Sequence, residues 1–194
     1  VPIATQFLHA AGAAFAVKHQ QQNKCVVSTG GDGSTSKGDF YEALNLAGVW
    51  NLPLVFVINN NQWAISVPAN LQTKSQTIAQ KAIAAGFDGI QVDGNDVIAT
   101  RDVIRQAIDK ARNDGGPTLI EAINYRLCDH TTADDATRYQ PQNEVIKAEK
   151  EEPINRLKIH LQNNGQWTDK EETELQSKVK EQIKQAADEY LNIG

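Results

Sequence analysis

Methionine is missing from all 194 residues, and the chain opens Val1-Pro2-Ile3. It is therefore expected to be a piece of a longer product, in which no leader segment can be sought. Cysteine is scarce. Cys25 and Cys128 are too few for a disulfide framework, and both read as thiols of a reducing compartment. No apolar run nears the roughly 20 residues that cross a bilayer; the longest, 52–58, is strand-sized and includes Pro53. Basic residues do not dominate either. There are 19 against 24 acidic ones, a formal net charge of −5, which weighs against nucleic acid as a partner. Repeats and low-complexity segments are absent. What remains, 40% apolar and 22% charged residues, is the balance of a folded globular chain. Its length suits one ordinary domain with an appendage.

Period and punctuation alternate along the chain. Helical patterns cover 10–19, 36–50, 75–85 and 96–113, and β-branched runs cover 24–28, 54–58, 89–92 and 118–124. The continuous apolar run Leu54-Val55-Phe56-Val57-Ile58 suits a strand buried on both faces. Strands and helices alternating at this pace predict an α/β fold, a parallel sheet with flanking helices joined by right-handed crossovers. Residues 126–143 are polar and aperiodic, long for a plain connection, and are read as a functional or mobile loop. Two amphipathic helices follow. Pro153 suits a first helical turn, and Thr168-Asp169-Lys170-Glu171 is a capping box. The expected organisation is thus an α/β domain over 1–143 and a helical extension over 144–194.

The chemically informative stretch is Gly31-Asp32-Gly33-Ser34-Thr35-Ser36-Lys37-Gly38, between a strand and a helix. Backbone N–H groups of a Gly-rich turn at a helix start favour an anion such as phosphate. The stretch is not a Walker A loop, because Lys37 precedes Gly38. It is not a dinucleotide fingerprint either, because Ser36 stands where the third glycine belongs. Asp32 sets it apart. A carboxylate beside phosphate needs a cation between them, which points to Mg²⁺. Asn59-Asn60-Asn61 ends the next strand, one strand–helix–strand unit away, and offers a second oxygen ligand at the same sheet edge. Taken alone, three asparagines also make an ordinary polar turn.

Gly31-Asp32-Gly33 with Asn60-Asn61 resembles the motif of thiamine diphosphate enzymes. Gly38-Asp39-Phe40-Tyr41-Glu42-Ala43-Leu44-Asn45, Asn60-Asn61-Gln62-Trp63-Ala64-Ile65-Ser66 and Gln91-Val92-Asp93-Gly94-Asn95-Asp96 make the likeness closer. So do Gly116-Pro117-Thr118-Leu119-Ile120-Glu121 and Tyr125-Arg126 through His130-Thr131. Together they resemble the alpha subunits of the decarboxylating component of 2-oxo acid dehydrogenase complexes, bacterial pyruvate dehydrogenases most of all. The likeness runs in order over nearly the whole chain.

This resemblance implies thiamine diphosphate and Mg²⁺ as cofactors. It makes Asp32, Asn61 and the backbone carbonyl of Trp63 the metal ligands, and Gly33 and Ser34 the N–H donors to the diphosphate. Val1 and Ile3 match positions beside the aminopyrimidine ring, although an apolar Ile3 alone would read as core. His130 matches a catalytic histidine at the start of a loop near the cofactor phosphates and the incoming lipoyl group. Arg126 is implied to order that loop through Asp134 or Asp135. The implied partners are a beta subunit (two alpha with two beta), the lipoyl domain of a dihydrolipoyl acyltransferase, and a small 2-oxo acid. Neither nucleic acid nor membrane is expected. The implied location is the bacterial cytoplasm, or the mitochondrial matrix in a eukaryote.

Because the family's activating glutamate belongs to the beta subunit, this chain is expected to supply half a site and to be inactive alone. Thr131 stands where mitochondrial relatives carry a phosphorylated serine, and Ala133 and Arg138 occupy two further serine positions, which sets kinase control in doubt. The equivalent subunit of a branched-chain or acetoin dehydrogenase shares these motifs. In a non-catalytic phosphate-binding module Asp32 would occupy a plain turn.

Overall fold

The computed structural model describes residues 2–193; Val1, matched to the aminopyrimidine contact, lies outside the described residues. The chain forms two compact units, Val1–Pro153 and Ile154–Gly194. In the first, α1 (Thr5–His19) leads into β1 (Val26–Gly31), a 3-10 turn (Asp32–Ser36) and α2 (Gly38–Val49). Then come β2 (Leu54–Asn60), a small hairpin of β3 (Trp63–Ala64) and β4 (Val67–Pro68), α3 (Ala69–Gln72) and α4 (Lys81–Ala84). β5 (Asp88–Asp93), α5 (Val97–Arg112), β6 (Thr118–Ile123) and α6 (Gln142–Glu149) complete it.

The sheet has the order β1-β2-β6-β5 and every pair is parallel, as the alternation of elements predicts. β2 is central. Leu54, Phe56 and Ile58 face one layer with Phe7, Phe40, Leu44 and Ala82, whereas Val55 faces the other with Ile120, Ala107 and Ala111. The sheet is therefore covered on both sides, by α1, α2 and α4 on one and by α5 on the other. Phe7 and Phe40 meet edge to face at 5.0 Å between ring centroids, with Phe56 6.0 Å from Phe7. Truncating one such buried ring costs about 3–5 kcal/mol. α5 is fixed at its start by Asp96, whose Oδ1 accepts from the N–H groups of Ile98 and Ala99 at 3.0 Å. Among the described residues no helix is long and apolar enough to cross a membrane.

Three local expectations need correction. The predicted helix over 75–85 contracts to the single turn of α4, because side chains take N–H groups a helix would use. Ala79 N–H and Gln80 N–H, which a helix would give to the carbonyls of residues 75 and 76, go to a Glu121 oxygen and to Thr77 Oγ1. β1 runs through both glycines, since Gly31 still pairs with Asn59. The aperiodic segment contains a 3-10 turn at Ala136–Arg138, and α6 begins inside it.

In the second unit, α7 (Pro153–Asn163) is followed by α8 (Asp169–Leu191), which opens on the predicted capping box between Thr168 and Glu171. Lys158 lies 3.8 Å from Glu172, which also accepts from the Trp167 indole N–H at 2.9 Å. These contacts are exposed and contribute modestly.

Gly30 shows how tightly α1 is seated. A Cβ there would lie 2.4 Å from Phe7 Cζ, whereas one at Gly31 meets nothing within 4 Å. Gly30→Ala is expected to lower stability by about 1–3 kcal/mol and Gly31→Ala by less than about 0.5 kcal/mol in urea unfolding.

Candidate functional site

Parallel pairing carries the ends of all four strands to one edge of the sheet, and the polar motifs gather there. Gly31 at the end of β1 sits opposite Asn59 of β2, and Asn60 opposite Ile123 of β6. Immediately beyond β1 the chain tightens into the 3-10 turn that holds Asp32, Gly33, Ser34 and Thr35. Asp32 is 3% exposed, and the side chain that reaches its carboxylate is neutral: Gln72 Nε2 donates to Oδ2 at 2.8 Å. No basic side chain among the described residues lies within ion-pair distance of it. A buried carboxylate so poorly compensated is costly unless a cation joins it. Thr35 closes the turn by donating to the Asp32 carbonyl at 2.8 Å, and Ser34 donates to the Gly31 carbonyl.

The asparagine run divides its labour. Asn60 is buried and donates to Glu121 Oε1 at 2.6 Å, while its own oxygen accepts from Gln62 N–H. Asn61 Oδ1 accepts from Trp63 N–H at 3.1 Å, an Asx turn that swings the chain into the β3–β4 hairpin. That hairpin leans on the glycine turn: a Cβ on Gly33 would lie 2.7 Å from Ala64 Cβ. Only glycine permits the approach. Beside the turn, between the strand ends and the segment 69–78, lies a cleft of about 470 Å³ lined by Asp32, Thr35, Asn60, Gln72 and Glu121 among others, with Gly33, Ser34, Asn61 and Trp63 outside its lining. Glu121, 1% exposed, accepts there from Asn60, from Ala79 N–H at 3.0 Å and from Gln91 at 3.2 Å.

A second network holds the segment after β6. The Arg126 guanidinium donates to the carbonyls of Trp63 at 3.4 Å, Ile65 at 3.0 Å and Cys128 at 3.0 Å, and to the Tyr139 hydroxyl. Asp134 lies 3.9 Å from it and accepts from His130 N–H at 2.8 Å and from Tyr139. The Tyr139 hydroxyl and then the His130 amide hold the Asp134 carboxyl below its ordinary range. Burial and the same carboxylate push the Tyr139 phenol up.

The model of the dehydrogenase E1 component family matches residues 1–191. This chain belongs to the dehydrogenase E1 component family. It is 49% identical over 180 residues to the 3-methyl-2-oxobutanoate dehydrogenase subunit alpha of Mycobacterium tuberculosis, covering 93% of this chain and 49% of that protein. It is 45% identical over 191 residues to the pyruvate dehydrogenase E1 component subunit alpha of Staphylococcus aureus, covering 98% of this chain and 52% of that protein. The chain spans about half the length of the curated relatives it matches.

Within this E1 chain the positions singled out by resemblance fall in three places. Asp32, Gly33, Ser34, Asn61 and Trp63 belong to the turn and hairpin that meet at the carboxyl edge of β1 and β2. His130 is exposed, with Nδ1 3.5 Å from Arg126 Nη1, and is joined through Arg126 to the Trp63 carbonyl. Ile3 precedes α1 and is 53% exposed, so its side chain is not part of the core. Of the two acids that Arg126 was expected to engage, the partner is Asp134; Asp135 instead caps the 3-10 turn by accepting from Thr137 N–H. Gln72, Lys81, Glu121 and Tyr139 were not foreseen. Each acts through tertiary hydrogen bonds that leave no period or spacing in the sequence.

Because the Asp134 carboxyl is held below its ordinary value, what it contributes to the loop is complete above about pH 4 and is lost as pH falls through the lowered value. Amides over 130–139 should therefore keep their hydrogen-exchange protection from neutrality to about pH 4. Asp134→Asn should remove that protection at pH 7. Loss of it in the unsubstituted protein near pH 6 would contradict the assignment.

Proposed function

We propose that this chain is the cofactor-anchoring part of the alpha subunit of a thiamine diphosphate-dependent 2-oxo acid dehydrogenase, with pyruvate as substrate. The buried, cation-free Asp32 carboxylate at the end of β1 is the observation that carries this reading. The donor set fits Mg²⁺: one carboxylate, the Asn61 amide oxygen and the Trp63 carbonyl are all hard oxygens, and phosphate oxygens would complete an octahedron. Among the described residues no cluster of three His, Cys, Asp or Glu side chains is placed to hold a metal. A mixed set with a single carboxylate leaves the remaining ligands to the cofactor's phosphates and water, as Mg²⁺ favours.

In this reading Asp32 and Asn61 hold the metal while Gly33 and Ser34 turn their backbone N–H groups toward the diphosphate. Gln72 orients the carboxylate by occupying Oδ2. Thiamine diphosphate, when bound, supplies the electron sink that 2-oxo acid decarboxylation requires. Arg126 fixes the hairpin and the loop together, so that His130 stands near the same edge for transfer of the acyl group to a lipoyl domain. Val1 and Ile3 belong beside the aminopyrimidine. The partners are a beta subunit in a two-alpha, two-beta assembly and the lipoyl acyltransferase, in the cytoplasm of a bacterium. Alone, this chain is inactive, since it holds only part of the site.

The branched-chain reading is the second one, favoured by the 49% identity to a 3-methyl-2-oxobutanoate dehydrogenase subunit. Rates of the full-length alpha–beta assembly with pyruvate, 3-methyl-2-oxobutanoate and acetoin decide between them, and pyruvate is expected to lead. In that assembly Asn61→Ala should weaken Mg²⁺-dependent cofactor binding by about tenfold or more and abolish turnover without lowering the melting temperature by more than a few degrees. Cofactor affinity unchanged by Asn61→Ala would refute the anchor and favour a non-catalytic module. His130→Ala should slow lipoyl acylation far more than dye-coupled decarboxylation, and equal losses would remove it from acyl transfer.

A further inference from the structure

Among the described residues Lys81, on α4, is the only basic residue buried as a whole, at 6% exposed. No carboxylate among those residues lies within ion-pair distance of it. The hydrogen bonds of its ammonium go to a single residue instead. Nζ donates to the Thr35 carbonyl at 2.8 Å and to Thr35 Oγ1 at 2.9 Å, and lies 5.1 Å from the centre of the Tyr41 ring and 5.9 Å from that of Phe40. Burying an amine without a counter-ion is unfavourable, and the aromatic faces offset only part of the cost.

The geometry explains what this arrangement does. An ammonium donates and never accepts, so the Thr35 hydroxyl must receive from Lys81 and aim its own proton elsewhere. It donates to the Asp32 carbonyl at 2.8 Å. Lys81 thereby fixes the hydroxyl rotor and, through it, both ends of the turn that presents Asp32, Gly33 and Ser34. The lysine is itself held from the sheet. Glu121 on β6 accepts from Ala79 N–H just before α4, and Lys81 N–H donates to the Ile78 carbonyl at 2.9 Å.

We propose that Lys81 is a positioning residue that clamps the Asp32–Ser36 turn in the shape needed to capture a Mg²⁺–diphosphate group. This rests on the function proposed above. The test uses the full-length alpha chain assembled with its beta subunit. Thiamine diphosphate is titrated calorimetrically at several Mg²⁺ concentrations for the parent, Lys81→Met, Thr35→Val and Asn61→Ala, and melting temperatures are taken without cofactor.

Lys81→Met keeps the aliphatic bulk but loses the donors, and should raise the apparent Kd about tenfold. Thr35→Val removes the hydroxyl relay without removing a charge and should shift the Kd in the same direction. If Lys81→Met fails to assemble, Thr35→Val alone decides. Parent-like affinity in whichever variants assemble, even with a lower melting temperature, would make Lys81 a scaffold residue only and overturn the clamp. If the parent shows no Mg²⁺-dependent binding, or Asn61→Ala binds as the parent does, the functional reading itself fails and the clamp with it. A normal parent and a weakened Asn61→Ala beside an unaffected Lys81→Met would sink the clamp alone.

Discussion

The arrangement depends on a carboxylate kept out of water at the end of a parallel strand. Asp32 leaves β1 at the edge where β2, β6 and β5 also end, and the turn that follows buries it with one neutral amide on one oxygen. An isolated buried anion is among the most expensive groups a fold can carry. The surroundings fix its position without neutralising it. Gln72 orients it, Thr35 ties its backbone, and Gly33 lets the hairpin close against it. A cation held jointly with an anionic ligand would complete what the protein leaves unfinished.

Around that point, three long-range polar contacts convert a sheet edge into a shaped cleft. Glu121 binds β6 to Asn60 of β2, to Gln91 of β5 and to the segment before α4, so the cleft floor is one hydrogen-bonded unit. Lys81 carries this rigidity to the turn that bears Asp32. Arg126 does the same for the hairpin and the following loop, reaching the carbonyls of Trp63, Ile65 and Cys128 at once. A planar guanidinium with five donors suits that role, and lysine would not substitute for it.

Much of this was legible in the sequence, for identifiable reasons. The continuous apolar run of β2 announced a strand covered on both faces, and the helical pattern over 36–50 announced α2, whose buried face proves to be Phe40, Ala43, Leu44 and Ala47. Gly31-Asp32-Gly33 and Asn61 stood one strand–helix–strand unit apart, so parallel pairing had to bring them to one edge. Local chemistry misled where side chains outbid the helix for N–H groups, as Glu121 and Thr77 do just before α4. Gln72, Lys81 and Tyr139 were invisible because hydrogen bonds made between loops and turns have no periodic signature. Ile3 taken alone read as core because it is apolar, and it proves half exposed.

The central proposal is that Asp32 ligates a metal shared with a diphosphate. Its most direct test is calorimetric titration of thiamine diphosphate and of thiamine into the full-length alpha–beta assembly, with Mg²⁺ and with a chelator. Saturable binding of the diphosphate that vanishes under chelation, with thiamine binding weakly in both conditions, is the predicted result. Equal affinity for the diphosphate with and without Mg²⁺ would contradict the account.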